Sequence, residues 1–323
     1  MTSSPTVAVT GAAGFIGSRI LYQLQEEHPD WNLVALDNQF RGQVRSVAGT
    51  SIDHFDIRNR GRLFDVLEGS DVVIHLAAIS GIEDCAEDPD LTYEVNVTGT
   101  NNVAWFCRKT GAALVFPFSV AVLGNPDEFP ITANQSRNPL NWYGRTKYLN
   151  EQAIHTFAEG GFPAHLFLKT NVYGEHVIDE ITVSKESVIN FFVNRAVAGK
   201  SLTVYKPGTQ SRNFVHVKDI GDVYVRSTEQ LFRELEHGKT GVSTYEVGGG
   251  EDVSIMTVAK TVASLTEEEL GIETEISLVD NPREGEATTE EFTVDTSNVR
   301  RDLGWEPSRT LEESIRDLLQ QHK

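Results

Sequence analysis

An α/β protein built on a doubly wound, mostly parallel sheet is the fold class this sequence predicts, and three observations predict it. Short β-branched apolar runs alternate with helix-period segments along the first half of the chain. The first run passes into a helix through three glycines, in VAVTGAAGFIGSRI at residues 7–20. An aspartate, Asp37, closes the second run about twenty residues beyond the last of those glycines.

The elements follow in order. Apolar runs predict strands at 6–10, 32–36, 51–55, 72–76, 113–118 and 164–169, and the segments between them predict helices at 18–27, 60–67, 92–109 and 143–158. Beyond Thr170 the rhythm loosens. A helix is expected at 187–198, a strand at 202–205, a strand-like NFVHV at 213–217, a strand at 244–247 and helices at 256–265 and 311–319. The expected organisation is a Rossmann-type nucleotide-binding domain over 1–170, with strands returning to it from about 213–247, and a smaller C-terminal α/β lobe over 171–323 that mainly serves the substrate.

Composition narrows the function. With 39% hydrophobic and 23% charged residues the chain is an ordinary globular protein. It has no apolar run of bilayer length and no basic-then-apolar leader, so a cytoplasmic protein is expected. Two isolated cysteines, Cys85 and Cys107, give neither a disulfide framework nor a thiolate metal site, and no metal is expected. The 47 acidic against 28 basic residues give a net charge of −19, which repels nucleic acid and anionic lipid and leaves a small molecule as the expected partner. An acidic surface of this kind belongs either to an ordinary solvated enzyme or to one adapted to high salt.

Gly11, Gly14 and Gly17 let the backbone turn tightly and approach a pyrophosphate, which the free amides of a helix N-terminus would hold. Asp37 then selects the cofactor, because a carboxylate accepts from a ribose 2′-hydroxyl but repels a 2′-phosphate, so NAD is expected over NADP. Arg41 and Arg45 follow closely and are the residues that would argue the other way. Asp56, in FDIRN, is placed either to meet the adenine amino group or to cap the next helix. His75 stands in an apolar run and reads as a packed residue.

In NWYGRTK, Tyr143 and Lys147 stand four apart and so share a helix face. Free tyrosine, with a pKa of about 10, is a poor base at neutral pH. A nearby ammonium and a positive nicotinamide ring both favour its ionisation, making Tyr143 a usable acid and base. Ser119 ends the strand LVFPFS at the carboxyl edge, where α/β sheets bind ligands.

These residues, with HLAA at 75–78, NVTGT at 96–100, LKTNVYG at 168–174, LTVYKPGTQSRNFVHVKDI at 202–220 and VDTSNVRRDLGWEP at 294–307, resemble the extended short-chain dehydrogenase/reductases of the NAD-dependent epimerase/dehydratase family, in particular its UDP-glucose 4-epimerase-like group. The likeness runs over nearly the whole chain. It implies a catalytic set of Ser119, Tyr143 and Lys147. It also implies a cofactor set of Gly11, Gly14, Phe15, Ile16, Gly17, Asp37, Asn38, Asp56, Ile57, Leu76, Ala77, Ala78 and Asn96 with Tyr143 and Lys147. Substrate contacts would come from Ser119, Asn171, Tyr205, Arg212 and Arg283, and the association would be a homodimer through helices 92–109 and 143–158.

The sequence departs from the family at Pro117 and Phe118, where small hydroxyl residues are frequent, and at Leu123, where tyrosine is usual. Val120 and Ala121 stand where sugar dehydratases of this family carry Asp-Glu and where decarboxylases usually carry a Glu at the second position. Without that extra acid and base, the implied reaction is oxidation at C4 followed by return of the hydride, a nucleotide-sugar 4-epimerase holding NAD through its cycle. The alternatives are an NAD-dependent sugar dehydrogenase or reductase and, from another class, a non-catalytic NAD-sensing Rossmann protein.

Overall fold

The computed structural model describes residues 4–42, 44–282, 285 and 287–322. The first half runs β1 (Thr6–Thr10), α1 (Phe15–Glu27), β2 (Asn32–Asp37), β3 (Ser46–Val47), β4 (Thr50–His54), α2 (Arg60–Val66), β5 (Val72–His75), α3 (Ile82–Glu87) and α4 (Pro89–Tyr93). A π-helical segment, Glu94–Gly99, joins α4 to α5 (Thr100–Thr110), and β6 (Ala113–Ser119), α6 (Trp142–Ala158) and β7 (Pro163–Lys169) follow. The second half contains β8 (Asn171–Tyr173), β9 (Glu175–Ile178), β10 (Ile181–Ser184), α7 (Val188–Val197), β11 (Leu202–Tyr205), β12 (Ser211–His216) and α8 (Val217–Glu236). It ends with β13 (Gly241–Val247), β14 (Asp252–Ser254), α9 (Ile255–Leu270), β15 (Ile276–Val279), α10 (Ser297–Leu303) and α11 (Leu311–Gln320).

One eight-stranded sheet, ordered β13-β7-β6-β5-β1-β2-β4-β3, organises the molecule. Its pairings are parallel except the short β3–β4 edge. The chain leaves β1 for β2 on one side and returns to β5 on the other. That reversal opens a crevice at the carboxyl ends of β1 and β5, the place where such sheets bind ligands.

Both faces of the sheet are covered, which is why its central strands read as continuous apolar runs. Val7, Val9, Ile74, Val115 and Phe167 pack one face against Ile20, Leu24, Val223 and Tyr224 of α1 and α8. Ala8, Val73, Leu114, Phe116 and Leu166 pack the other against Leu63, Val103, Phe106 and Ile154 of α2, α5 and α6. A separate core, including Phe192, Val204, Val258 and Leu318, sits in the second half between α7, α9, α11 and β11. Among the described residues no helix is long and apolar enough to cross a membrane.

The structure corrects several expectations. The helix expected over 92–109 is three pieces, because the wide π turn sets Asn96 against the loop after β5, as described below. Of the region 213–247, β13 joins the large sheet beside β7, whereas β12 pairs with β8 and β14 in a three-stranded sheet of its own. The 20-residue helix α8 between them, the β9–β10 hairpin and the short α10 were not foreseen at all.

Candidate active site

The glycine turn is a cradle that no side chain could enter. Gly11 takes a left-handed φ of 75°, and a Cβ there would meet the Ala77 amide nitrogen at 2.6 Å. At Gly17 a Cβ would lie 2.1 Å from the Gly11 carbonyl. Gly14 caps α1 without a side chain, and Phe15 and Ile16 carry the chain into its first turn. The amide-lined floor under a helix N-terminus is the donor set that a pyrophosphate requires, so these residues fit a dinucleotide.

Asp37 is buried and accepts the Ala13 amide at 3.0 Å and the Gln39 amide at 2.7 Å, and the neighbouring Asn38 accepts the Phe40 amide at 3.1 Å. Arg41 is bound to Asp84 at 2.6 Å, which occupies the nearer of the two arginines that would otherwise favour a 2′-phosphate. Asp56 neither caps α2 nor stands alone. Arg58 grips it at 2.7 Å and also reaches Glu94 at 2.8 Å, and this pairing holds the Asp56 carboxyl below its ordinary range. The cap of α2 is instead Asn59, which accepts the Arg62 amide. Ile57 is buried against Ile79, Cys85 and Val95.

Leu76, Ala77 and Ala78 form the lip that follows β5, with the Leu76 amide on the Thr10 carbonyl at 3.0 Å. Asn96 fastens this lip. Its side chain accepts the Ile79 amide at 2.8 Å, donates to the Ile79 carbonyl at 2.9 Å and donates to Thr146 of α6 at 3.3 Å. His75 is packed as expected, bonded to Thr10 at 2.7 Å and Thr100 at 2.9 Å, and burial lowers its pKa to about 3.

The reacting groups meet because α6 starts hard against the end of β6. Asn141 caps α6 by accepting the Gly144 amide at 2.9 Å, and at Gly144 a Cβ would stand 2.5 Å from the Ala121 carbonyl. Tyr143 therefore lies beside Ser119, which bonds its hydroxyl and accepts the Ala121 amide at 3.2 Å. Lys147, one turn on, is buried. It donates to the Pro117 carbonyl at 3.3 Å, with its ammonium 4.7 Å from the Phe116 ring centroid and 5.8 Å from that of Tyr143.

The electrostatics differ from the expectation in one respect. Burial pushes the Tyr143 phenol up to about 12, and the Ser119 hydrogen bond, not Lys147, is what opposes it. Burial likewise lowers Lys147 to about 8. The protein's own groups thus hold Tyr143 as a proton donor, and a cation brought in beside it would be needed to make it a base.

The substrate side is less open than expected. Asn171 donates to the Asn213 carbonyl at 3.1 Å, and Arg212 donates to the Ala287 carbonyl at 2.5 Å, over the Phe292 ring. Tyr205 ends β11, half-buried, in the second-half lobe. Arg283 lies outside the described residues. Two lysines that sequence reasoning missed do stand at the site. Lys169 ends β7 opposite Ser119, and Lys185 follows β10 and reaches Ser80 at 3.4 Å.

Over residues 7–248 the chain matches the NAD dependent epimerase/dehydratase family. It is 30% identical, over 316 residues and 96% of each chain, to a protein of Methanocaldococcus jannaschii named as a putative UDP-glucose 4-epimerase. Among solved structures it is similar to MoeE5 in complex with UDP-glucuronic acid and NAD, with a TM-score of 0.80, 25% identity and 96% of each chain covered. Its fold also matches a UDP-glucose-4-epimerase from Stenotrophomonas maltophila with bound NAD and formylated UDP-arabinopyranose, with a TM-score of 0.84, 24% identity and 98% of each chain covered.

Proposed function

The chain belongs to the NAD dependent epimerase/dehydratase family, and within it we propose a nucleotide-sugar 4-epimerase of the UDP-glucose/UDP-galactose type. The observation that carries this reading is the meeting of Ser119, Tyr143 and Lys147 at the carboxyl edge of the sheet, with only Val120 and Ala121 where elimination or decarboxylation would need an acid or base. Bound at the glycine cradle, NAD supplies the acceptor and donor for the C4 hydride. Tyr143 takes the proton of the C4 hydroxyl and later gives it back, while Ser119 shares a hydrogen bond to that oxygen. Lys147 holds the cofactor ribose and keeps positive charge near the phenol. Asp37 receives the adenosine ribose, and Arg212 and Arg283 are the groups that suit a diphosphate.

Residues 171–323 mainly serve the substrate in this reading. The protein works in the cytoplasm as a homodimer through α5 and α6, where Leu149 and the nearby Tyr93 expose apolar surface. A monomeric mass by light scattering in both low and molar salt would remove the dimer. The acidic surface fits a high-salt habitat.

The reading is tested by incubating the purified protein with UDP-, GDP- and dTDP-hexoses without added cofactor. C4 interconversion is expected with NAD held through the cycle. Stoichiometric consumption of external NAD would instead make the enzyme a dehydrogenase.

A further inference from the structure

This chain has only ten lysines and a net charge of −19, yet three of those lysines converge on the reacting end of the site. Lys147 comes from α6, Lys169 from the end of β7 and Lys185 from the loop after β10. Ser119 and Lys169 are matched in register on adjacent parallel strands, so their side chains leave the sheet on the same face about 4.8 Å apart at the backbone. The charges of Lys185 and Lys147 both act against protonation of the half-buried Lys169, which places the three ammonium groups within one field. Lys185 has Asp84 to answer it, but among the described residues no carboxylate is found among the groups that act on Lys147 or Lys169. Among the described residues no hydrogen bond or ion pair engages the Lys169 side chain. The epimerisation described above uses one of these cations and leaves the other two without work.

An uncompensated ammonium in a half-buried site is costly unless a ligand brings the opposite charge. The position of Lys169 says where that charge sits. Ser119 marks the oxygen on C4, and Lys169 lies one strand away on the same face, closer to that oxygen than to the glycine cradle two strands further along the sheet. In a hexose the C6 group is two bonds from C4, whereas the diphosphate hangs from C1 across the ring. We propose that the sugar taken by this site is a nucleotide-linked uronic acid, its C6 carboxylate received by the Lys169 ammonium, with Lys185 strengthening the positive field. The inference rests on the epimerase reading and names the substrate class within it.

The test compares UDP-glucuronate with UDP-glucose on the wild type, Lys169→Met, Lys169→Gln and Lys169→Arg, reading kcat/KM for C4 interconversion and, by calorimetry, the dissociation constants. The wild type is expected to favour the uronate. Lys169→Met should lower the uronate-to-glucose ratio of kcat/KM, and of affinity, at least about 30-fold, as loss of one member of a desolvated charge pair does. Lys169→Arg should keep most of the preference. Lys169→Gln, which stays polar, repeats the measurement if the Met variant fails to fold. A wild type that prefers UDP-glucose, or a Met variant that weakens both substrates alike, overturns the proposal, the latter outcome assigning Lys169 to the diphosphate. Turnover of neither sugar on any nucleotide would instead bring down the epimerase reading beneath it.

Discussion

Asp37, at the carboxyl end of β2, accepts the backbone amide of Ala13 at 3.0 Å and so ties the second strand to the glycine turn that opens α1. The same carboxylate holds the Gln39 amide, which begins the loop toward Arg41. Asp37→Ala should therefore do two things at once. It should narrow the preference for NAD over NADP, and it should cost about 1–3 kcal/mol of stability as two amides lose their acceptor. Titration of both cofactors beside a thermal melt separates the effects, and unchanged discrimination would mean that the end of β2 does not read the ribose.

Tyr143→Phe removes one oxygen from a residue packed against Ile57, Ile79, Cys85 and Val95. Folding and NAD content should survive. Turnover should fall about 10²-fold or more, the usual contribution of a positioned acid and base. A variant within threefold of the wild type would exclude Tyr143 from the proton transfer.

The proton balance of Lys147 makes stability depend on pH in a definite direction. Burial lowers its folded pKa to about 8 from an ordinary 10.5. Between those values the unfolded chain keeps a proton that the folded chain has given up, so stability rises with pH above about 8, and the full penalty is present below it. Lys169, lowered to about 7, adds a slope of the same sign. Lys147→Met should be the more stable protein at pH 7 and should show a shallower rise from pH 8 to 9.5 in urea melts. Above that window Tyr143, raised to about 12, contributes the opposite slope. Parallel curves for the two proteins would show that the lysine is not buried as a cation.

The net charge of −19 makes a prediction about salt. Self-repulsion opposes the compact state, and counterions screen it over about 10 Å at 0.1 M but only about 3 Å at 1 M. Melting temperature should rise between 0.1 and 2 M NaCl. Because salt also strengthens apolar burial, the control is a variant neutralised at exposed carboxylates such as Asp127, Glu186 and Glu236. If that variant gains as much from salt as the wild type, repulsion is not the cause.

Much of the first half was legible in the sequence because three of its strands lead into residues with distinctive chemistry: the glycine turn after β1, Asp37 on β2, Ser119 on β6. What was hidden depends on geometry that residue types do not announce. An α-helix and a π turn share their apolar spacing closely enough that the break at Glu94–Gly99 could not be seen, although the buried Asn96 is its purpose. Helix α8 went unread because its opening Val217 completes the strand-like NFVHV, although Ile220, Val223, Tyr224 and Leu231 form an apolar stripe with Asp222, Arg226 and Glu229 on the opposite face, an amphipathic pattern the sequence did carry. Asp56 looked free for adenine because nothing in the pattern FDIRN says that Arg58 would fold back on it. Lys169 read as the last residue of a strand, and only its register with Ser119 shows what it faces.

The return of β13 to the large sheet has a consequence for anyone who would divide this protein. Strand β13 covers β7 along its whole length, from the Gly241–Pro163 pair to the Val247–Lys169 pair. A fragment ending near Thr170 would therefore lose its outermost strand and bare the row of backbone amides and carbonyls along β7, flanked by Leu166, Phe167 and Leu168. An apolar, unpaired edge of seven residues is a template for the same edge on another copy. Such a fragment should precipitate rather than bind nucleotide, although it carries the entire glycine turn. Coexpressing the remainder of the chain should restore solubility by supplying β13 in trans.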